Sequence, residues 1–191
     1  MKIILGSQSP RRRELLAGLD IPFTAINIHA DESYPSSLQK GDIPEYIACE
    51  KARAYSCQLK EDELLITADT IVWLDGEVLG KPKNEQEACR MLHQLSGRTH
   101  QVYTGVCFMT AQGITERFSD QTDVTFKELT EEEIADYVQR YKPLDKAGAY
   151  GVQEWIGYIA VTGLKGSYFN VMGFPINRVY EVLKRHIGTV L

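Results

Sequence analysis

Lys2-Ile3-Ile4-Leu5-Gly6-Ser7-Gln8-Ser9-Pro10-Arg11-Arg12-Arg13-Glu14-Leu15-Leu16 opens the chain, and the fold is read outward from it. Ile3, Ile4 and Leu5 make a short apolar run, the pattern of a strand. Gly6 to Ser9 is a turn of small residues. Ser9 suits a helix N-cap, Pro10 suits the first helical position because its missing N–H would have no partner there, and Leu15, Leu16 and Leu19 recur at helical spacing. Arg11 and Arg12 then fall in the first helical turn, where the aligned peptide dipoles already place about half a positive charge and a cation costs about 0.3–1 kcal/mol. A capping box would put Glu or Gln where Arg12 stands. Arginine is a good helix former, and exposed basic side chains relieve that cost by reaching into solvent. The turn Gly6-Ser7-Gln8-Ser9 directly after a strand favours the other reading. Backbone N–H groups, the helix dipole and the guanidinium forks would together hold an anion, the geometry in which α/β proteins often bind phosphates.

The 191 residues suffice for one substantial core or for two lobes, and 43% hydrophobic with 25% charged residues is ordinary globular composition. A net charge of −5 argues against a general nucleic-acid or membrane-surface binder, so neither is expected as a partner. No run approaches the roughly 18 apolar residues of a membrane span, and the opening apolar run is too short for a signal-peptide core, so a cytoplasmic location is expected. Cys49, Cys57, Cys89 and Cys107 include no C-x-x-C pair, and His29, His93, His100 and His186 form no H-x-x-H pattern. Reduced thiols and no zinc site are expected.

Asp42, Pro44 and Glu45 read as a capping-box start to a second helix, through Ile47, Lys51 and Ala52 to about Leu59. Residues 64–73 are strand-like, and Asp75-Gly76 signals a hairpin into Glu77-Val78-Leu79. A third helix starts at Asn84, with Glu87 at the box position and Gly97 as its stop. Residues 101–109 and 122–126 read as strands, and Thr130 with Glu133 caps a helix to about Tyr141. Residues 145–153 form a Gly/Ala-rich loop, 156–161 a short strand and 176–183 the last helix. Interleaved strands and helices predict an α/β fold with flanking helices, and the hairpin makes the sheet mixed rather than all parallel. No repeat or linker marks an independent domain.

Asp69 interrupts an apolar strand-like run, so it either bonds nearby backbone at a strand end or acts as a carboxylate that orients water, with or without a divalent cation; Thr70 beside it offers a hydroxyl. A hairpin centred on Asp75-Gly76 would set Asp69 and Thr70 opposite Gly80-Lys81-Pro82, bringing acid and base side by side. Lys51, taken alone, reads as a solvated helix residue. Asp31-Glu32 offers paired carboxylates that could serve a metal, although acidic loop residues are usually surface. In residues 145–153, Gln153 carries an amide able to read a base edge. Neither a Walker A sequence nor G-x-G-x-x-G is present.

Together, Gly6-Ser7-Gln8-Ser9-Pro10-Arg11-Arg12, Glu50-Lys51-Ala52, Ala68-Asp69-Thr70, Gly80-Lys81-Pro82 and Asp145-Lys146-Ala147-Gly148-Ala149-Tyr150-Gly151 resemble the Maf family of nucleotide pyrophosphatases. Gly166-Ser167-Tyr168, Val171-Met172-Gly173 and Pro175 fit as well, so the resemblance covers residues 1–191 as one domain. It implies a mixed α/β fold with a curved sheet and two lobes around a deep cleft, related to inosine triphosphatases. It also implies hydrolysis of a nucleoside triphosphate to monophosphate and pyrophosphate with Mg²⁺ or Mn²⁺. By position, Asp69 would be the proton acceptor, Ser9, Arg11, Arg12, Lys51 and Lys81 would hold the triphosphate, and Glu32 with Asp69 would serve the metal. Arg11, Thr70 and Gln153 match the branch that prefers dTTP and UTP. A sister branch acts on 7-methyl-GTP, and a link of the family to septum formation leaves a regulator without turnover as the alternative. A homodimer is what the resemblance suggests.

Overall fold

The structure, a computed structural model, describes residues 1–188. Along the chain run β1 (Lys2–Gly6), α1 (Pro10–Ala17), β2 (Phe23–Ile26), α2 (Asp42–Tyr55), β3 (Glu63–Leu74), β4 (Glu77–Leu79), α3 (Glu85–Leu95), β5 (Thr99–Thr110), β6 (Gly113–Phe126), α4 (Glu131–Tyr141), α5 (Trp155–Ala160), β7 (Val161–Lys165), α6 (Tyr168–Val171) and α7 (Ile176–Ile187). Among the described residues the strands form one seven-stranded sheet in the order β2-β1-β3-β5-β6-β7, with β4 added to β3. The sheet is mixed: β1 runs parallel to β2 and β3, while β4 and β7 are antiparallel to their partners. No described helix is long and apolar enough to cross a membrane.

The chain divides into two compact units. The first comprises Met1–Asp69, Thr104–Asp120 and the described residues from 173 to 188. Here the opening apolar run is explained by burial on both faces of its strand. Ile3 and Leu5 pack with Leu64, Ile66, Phe108, Phe174, Val179 and Leu183, joined by Leu16 of α1. Ile4 points the other way, with Leu65, Cys107 and Met109, onto Ala48, Cys49 and Ala52 of α2. Helix α2 lies very close to β5: a Cβ at Gly105 would meet the Glu45 nitrogen at 2.1 Å, so only glycine fits. The helix is capped by Gly41 without a side-chain bond, and Asp42 and Glu45 lie within its first turn. They favour the helix through its dipole rather than as the expected capping box. The helix ends at Tyr55, and a 3-10 turn, Ser56–Gln58, carries the chain to the expected stop near Leu59.

The second unit comprises Thr70–Tyr103 and Gln121–Met172. Its hairpin turns at Asp75 and Gly76, whose φ values of 51° and 90° are the left-handed pair that a two-residue turn of matching twist requires. The ladder holds only Leu74–Glu77, Trp73–Val78 and Val72–Leu79. The pairing expected to carry Lys81 opposite Asp69 and Thr70 is not formed: β4 ends at Leu79, and the Gly80 carbonyl accepts instead from the Gly148 N–H at 3.1 Å. Asn84 accepts from the Glu87 N–H at 2.9 Å, and Thr130 and Glu133 form a reciprocal capping box. The last helix, expected to end at 183, runs on to Ile187, helix α6 was not expected, and two further spans differ. Strand β6 begins at Gly113 rather than at 122, and the strand expected over 156–161 is helix α5, with β7 starting at Val161. The apolar run misleads because Gly157 lets this short helix press on the preceding turn, where a Cβ would lie 1.8 Å from the Val152 carbonyl. The Gly157 and Tyr158 N–H groups both donate to the Glu154 carbonyl, at 2.9 and 3.3 Å.

Candidate active site

Parallel pairing sets Gly6, at the carboxyl end of β1, opposite Thr67 within β3, so the Ser7–Ser9 turn leaves that end of β1 two residues along β3 from Asp69. Ligands in α/β folds characteristically bind at that end. Ser9 is the N-cap of α1, its hydroxyl accepting from the Arg12 N–H at 3.5 Å, and Pro10 occupies the first turn. Buried Ser7 braces the turn by accepting the Ser9 N–H at 3.2 Å. The guanidinium of Arg12 donates from Nε to the Gly173 carbonyl at 2.8 Å and from Nη1 to the Ala68 carbonyl at 3.0 Å. Burial lowers its pKa, and the charge of Asp69 works against that shift. A guanidinium titrates so high that it stays cationic at neutral pH. Arg12 thus ties the first turn of α1 to the carbonyl just before Asp69. Arg13 donates from Nε and Nη2 to the Ser7 carbonyl at 3.3 and 3.2 Å. These carbonyl acceptors offset part of the cost of placing cations at a helix N-terminus. Arg11 is half-buried on the same turn.

On α2, Lys51 is not a solvated helix residue. Its ammonium lies 2.7 Å from Asp69 Oδ1 and 2.9 Å from Glu32 Oε1. Its side chain and that of Asp69 are only 13% and 15% exposed, against 51% for Glu32, so the Lys51–Asp69 half of the bridge is the one shielded from solvent. The meeting is arranged one turn back. Fully buried Thr67 donates its hydroxyl to the Ala48 carbonyl at 2.7 Å, locking α2 to β3. Lys51 follows Ala48 by one helical turn and Asp69 follows Thr67 on the same strand face, which brings ammonium and carboxylate together. Two hard oxygen donors therefore converge on one cation. Among the described residues no cluster of three or more metal-ligating side chains occurs.

The remaining predicted residues belong to the second unit. Thr70 follows Asp69 along β3 and is half-buried, and Lys81 is exposed in the segment after β4. That segment is tied to the 3-10 turn Ala147–Ala149, since the Gly148 N–H donates to the Gly80 carbonyl at 3.1 Å. Gly148 has φ 67°, and a Cβ there would lie 2.8 Å from Val72. Gln153 is a central residue of a turn closed by the Glu154 N–H on the Gly151 carbonyl at 3.0 Å. Its Oε1 is shielded and has no partner within the protein. Thr67, Ser7, Arg13 and the Gly173 carbonyl were not singled out as functional from the sequence. Ser7 and Gly173 lie inside quoted motifs, but Thr67 and Arg13 act through contacts that no local pattern reveals.

The fold is that of the Ham1 proteins. Solved structures from Staphylococcus aureus and Coxiella burnetii align with TM-scores of 0.56 and 0.51 at 15% and 16% identity, over 97% of this chain and 100% and 99% of theirs. Within that fold, the chain belongs to the Maf-like protein family, which it matches over residues 2–186 and hence across both units. A relative from Phocaeicola vulgatus, called dTTP/UTP pyrophosphatase, is 58% identical over 96% of this chain and 95% of its own length. Relatives of the same name from Parabacteroides distasonis and Bacteroides thetaiotaomicron are 55% and 54% identical, each over 96% of this chain and 95% of its own length.

Proposed function

We propose that the protein hydrolyses dTTP and UTP, or modified forms of these pyrimidine nucleotides, between the α- and β-phosphates, releasing the nucleoside monophosphate and pyrophosphate. The observation that carries the reading is the Lys51 ammonium held between Asp69 and Glu32, in the same unit as the Arg12-clamped turn that follows the carboxyl end of β1. The names of relatives up to 58% identical support the choice of base. Residues 1–191 are read as one catalytic domain, in keeping with a family match over residues 2–186. A triphosphate substrate is expected in the cytoplasm, and a homodimer is the expected assembly, to be read by light scattering.

The backbone N–H groups at the start of α1, with Ser9, Arg11 and Arg12, bind the phosphates, and Lys51 and Lys81 add cationic contacts. These charges are fixed before reaction and stabilise the negative charge that builds on the phosphates during in-line attack. Asp69 orients the attacking water and accepts its proton. Glu32 and Asp69 suit Mg²⁺ or Mn²⁺, since such ions are commonly held by one or two carboxylates together with substrate phosphate oxygens. When bound, the ion lowers the pKa of a coordinated water and neutralises phosphate charge. Arg11, Thr70 and Gln153 select the base. The unpartnered Oε1 of Gln153 and its amide N–H₂ group match the N–H and carbonyl edge shared by thymine and uracil.

The test is a panel of dTTP, UTP, dCTP, purine triphosphates and 7-methyl-GTP with Mg²⁺ or Mn²⁺, read by pyrophosphate release from wild type and Asp69→Asn. Turnover favouring dTTP and UTP, abolished by the substitution, is expected. Preference for 7-methyl-GTP would overturn the base assignment. Binding without turnover in either protein would replace the enzyme with a nucleotide-sensing regulator of septum formation.

A further inference from the structure

The turn that carries Gln153 is closed at both ends by one phenol. Gly151 and Glu154 are its first and last residues, and Val152 and Gln153 lie between them. The Gly151 N–H donates to the Tyr137 hydroxyl at 3.2 Å, and that hydroxyl donates onward to Glu154 Oε2 at 2.5 Å. Tyr137 stands on α4 and is fully buried, stacked on Tyr141 at 5.0 Å between ring centroids. Burial, reinforced by the Glu154 carboxylate, raises its pKa, so the phenol remains a proton donor at any working pH. The second oxygen of Glu154 is held by the Lys146 ammonium at 3.1 Å, and Lys146 is itself paired with Asp145 at 2.8 Å. The Lys146 side chain is only 10% exposed. Gly151 is required beside this carboxylate, since a Cβ there would lie 2.9 Å from Glu154 Cδ.

Resting on the reading of Gln153 as a base-selecting residue, we infer that Tyr137, acting through Glu154 and Lys146, is a positioning residue that fixes the Gln153 turn and thereby sets pyrimidine selectivity. No substrate contact is assigned to it. A buried phenol that accepts from the first residue of a four-residue turn and donates to the last leaves the two central residues little freedom. Within a turn so held, Gln153 keeps one orientation, and a base edge complementary to its amide gains over one that is not, because a mismatched partner leaves buried polar groups unpaired. Without the clamp the turn samples several orientations and the amide adapts to more than one edge. Tyr137→Phe keeps the ring and its stacking but removes both hydrogen bonds. Loss of a bond to a charged acceptor corresponds to about a tenfold effect.

The experiment compares kcat/KM for dTTP and dCTP in wild type, Tyr137→Phe, Gln153→Ala and the double variant, with thermal unfolding followed alongside. The expected result is a dTTP-to-dCTP ratio lowered about tenfold by Tyr137→Phe, with activity on dCTP unchanged or raised. Gln153→Ala should lower the ratio too, and adding Tyr137→Phe to it should lower it no further. Glu154→Gln, which can still accept from the phenol, should keep more of the ratio than Glu154→Ala. An equal fall on both nucleotides in Tyr137→Phe, tracking loss of stability, would reduce the clamp to a purely structural contact and overturn the inference while leaving the role of Gln153 intact. An unchanged ratio in Gln153→Ala would overturn the base-selecting role itself and the inference with it.

Discussion

His100 is the group through which acid should weaken this protein most directly. Its imidazole is fully buried, with Nε2 2.7 Å from the Tyr150 hydroxyl and Nδ1 without a partner. The rings of Phe126 and Tyr150 meet it edge-on at 5.1 and 5.4 Å, and both are apolar surroundings for a charge. Burial lowers the His100 pKa from 6.5 to about 4. The folded pKa therefore lies below the unfolded one, so between those values the unfolded chain binds the extra proton. The stabilising contribution is complete above pH 6.5, falls as pH drops, and is gone once pH has passed below about 4. A separation of about 2.5 pH units, at 1.36 kcal/mol each, amounts to about 3 kcal/mol, a sizeable share of a total stability of about 5–15 kcal/mol. Urea unfolding of wild type and His100→Gln from pH 7.5 to 4 measures this, because the acidic side chains titrate alike in both and cancel in the difference. The wild type should lose about 3 kcal/mol relative to the variant across that range. Direct NMR titration of the His100 ring gives an independent value should the variant fold poorly. A ring that titrates near 6.5, or a stability difference flat with pH, would refute the reasoning.

Lys51→Met should keep the aliphatic packing of α2 but leave Asp69 facing Glu32 without the cation between them; turnover should fall by about 10²–10³ under saturating substrate, as for removal of a fixed charge near reacting phosphates. A loss confined to KM would assign Lys51 to ground-state binding alone. Gly105→Ala should destabilise the fold by about 1–3 kcal/mol or more, since the added methyl meets the backbone of α2 rather than a side chain that can swing aside. A melting temperature unchanged by that substitution would contradict the close helix–strand contact. Thr67→Val, nearly isosteric, removes the hydroxyl bond to the Ala48 carbonyl, which keeps its partner within α2, with an expected cost of about 0.5–1.5 kcal/mol in denaturant unfolding. It should also lower kcat more than it raises KM, because Lys51 and Asp69 lose the anchor that aligns them; a change in KM alone would disconnect Thr67 from their alignment.

What could be read from the sequence was whatever short-range chemistry dictates. The start of α1 was legible because Ser9 and Pro10 satisfy the demands of a helix N-terminus by themselves, and the β3–β4 hairpin because Asp75-Gly76 accepts left-handed backbone that other pairs resist. The span 156–161 was misread because an apolar run of that length fits a buried strand or a buried helix equally well. What decided it was the close approach of Gly157 to Val152, together with the two N–H groups that find the Glu154 carbonyl. The site was legible as a set of motifs and not as a set of contacts. Lys51 and Asp69 are 18 positions apart, and nothing in either local pattern signals that Thr67 and Ala48 bring them together. The expected partner of Asp69 was Lys81, from an extrapolated hairpin register. The ladder stops after three pairs, and Lys51 holds the acid instead.

The same device recurs in both units, and it bears on how charge is managed around the reaction. Arg12 spends donors on the Ala68 and Gly173 carbonyls, Arg13 on the Ser7 carbonyl, and Thr67 on the Ala48 carbonyl. In the second unit Tyr137 and Lys146 hold Glu154 beside the Gln153 turn. In each case a side chain with fixed donors grips a backbone carbonyl or the carboxylate of Glu154, so the Arg12 turn, the Lys51–Asp69 pair and the Gln153 turn each rest on such a contact. Charges held this way need little reorganisation when negative charge shifts along a triphosphate, and fixed dipoles and ions are worth most under that condition. Arg12 and Arg13, unfavourable at the start of an isolated helix, are thus part of the support of the site: their guanidinium groups stabilise the turn in which their charge is placed.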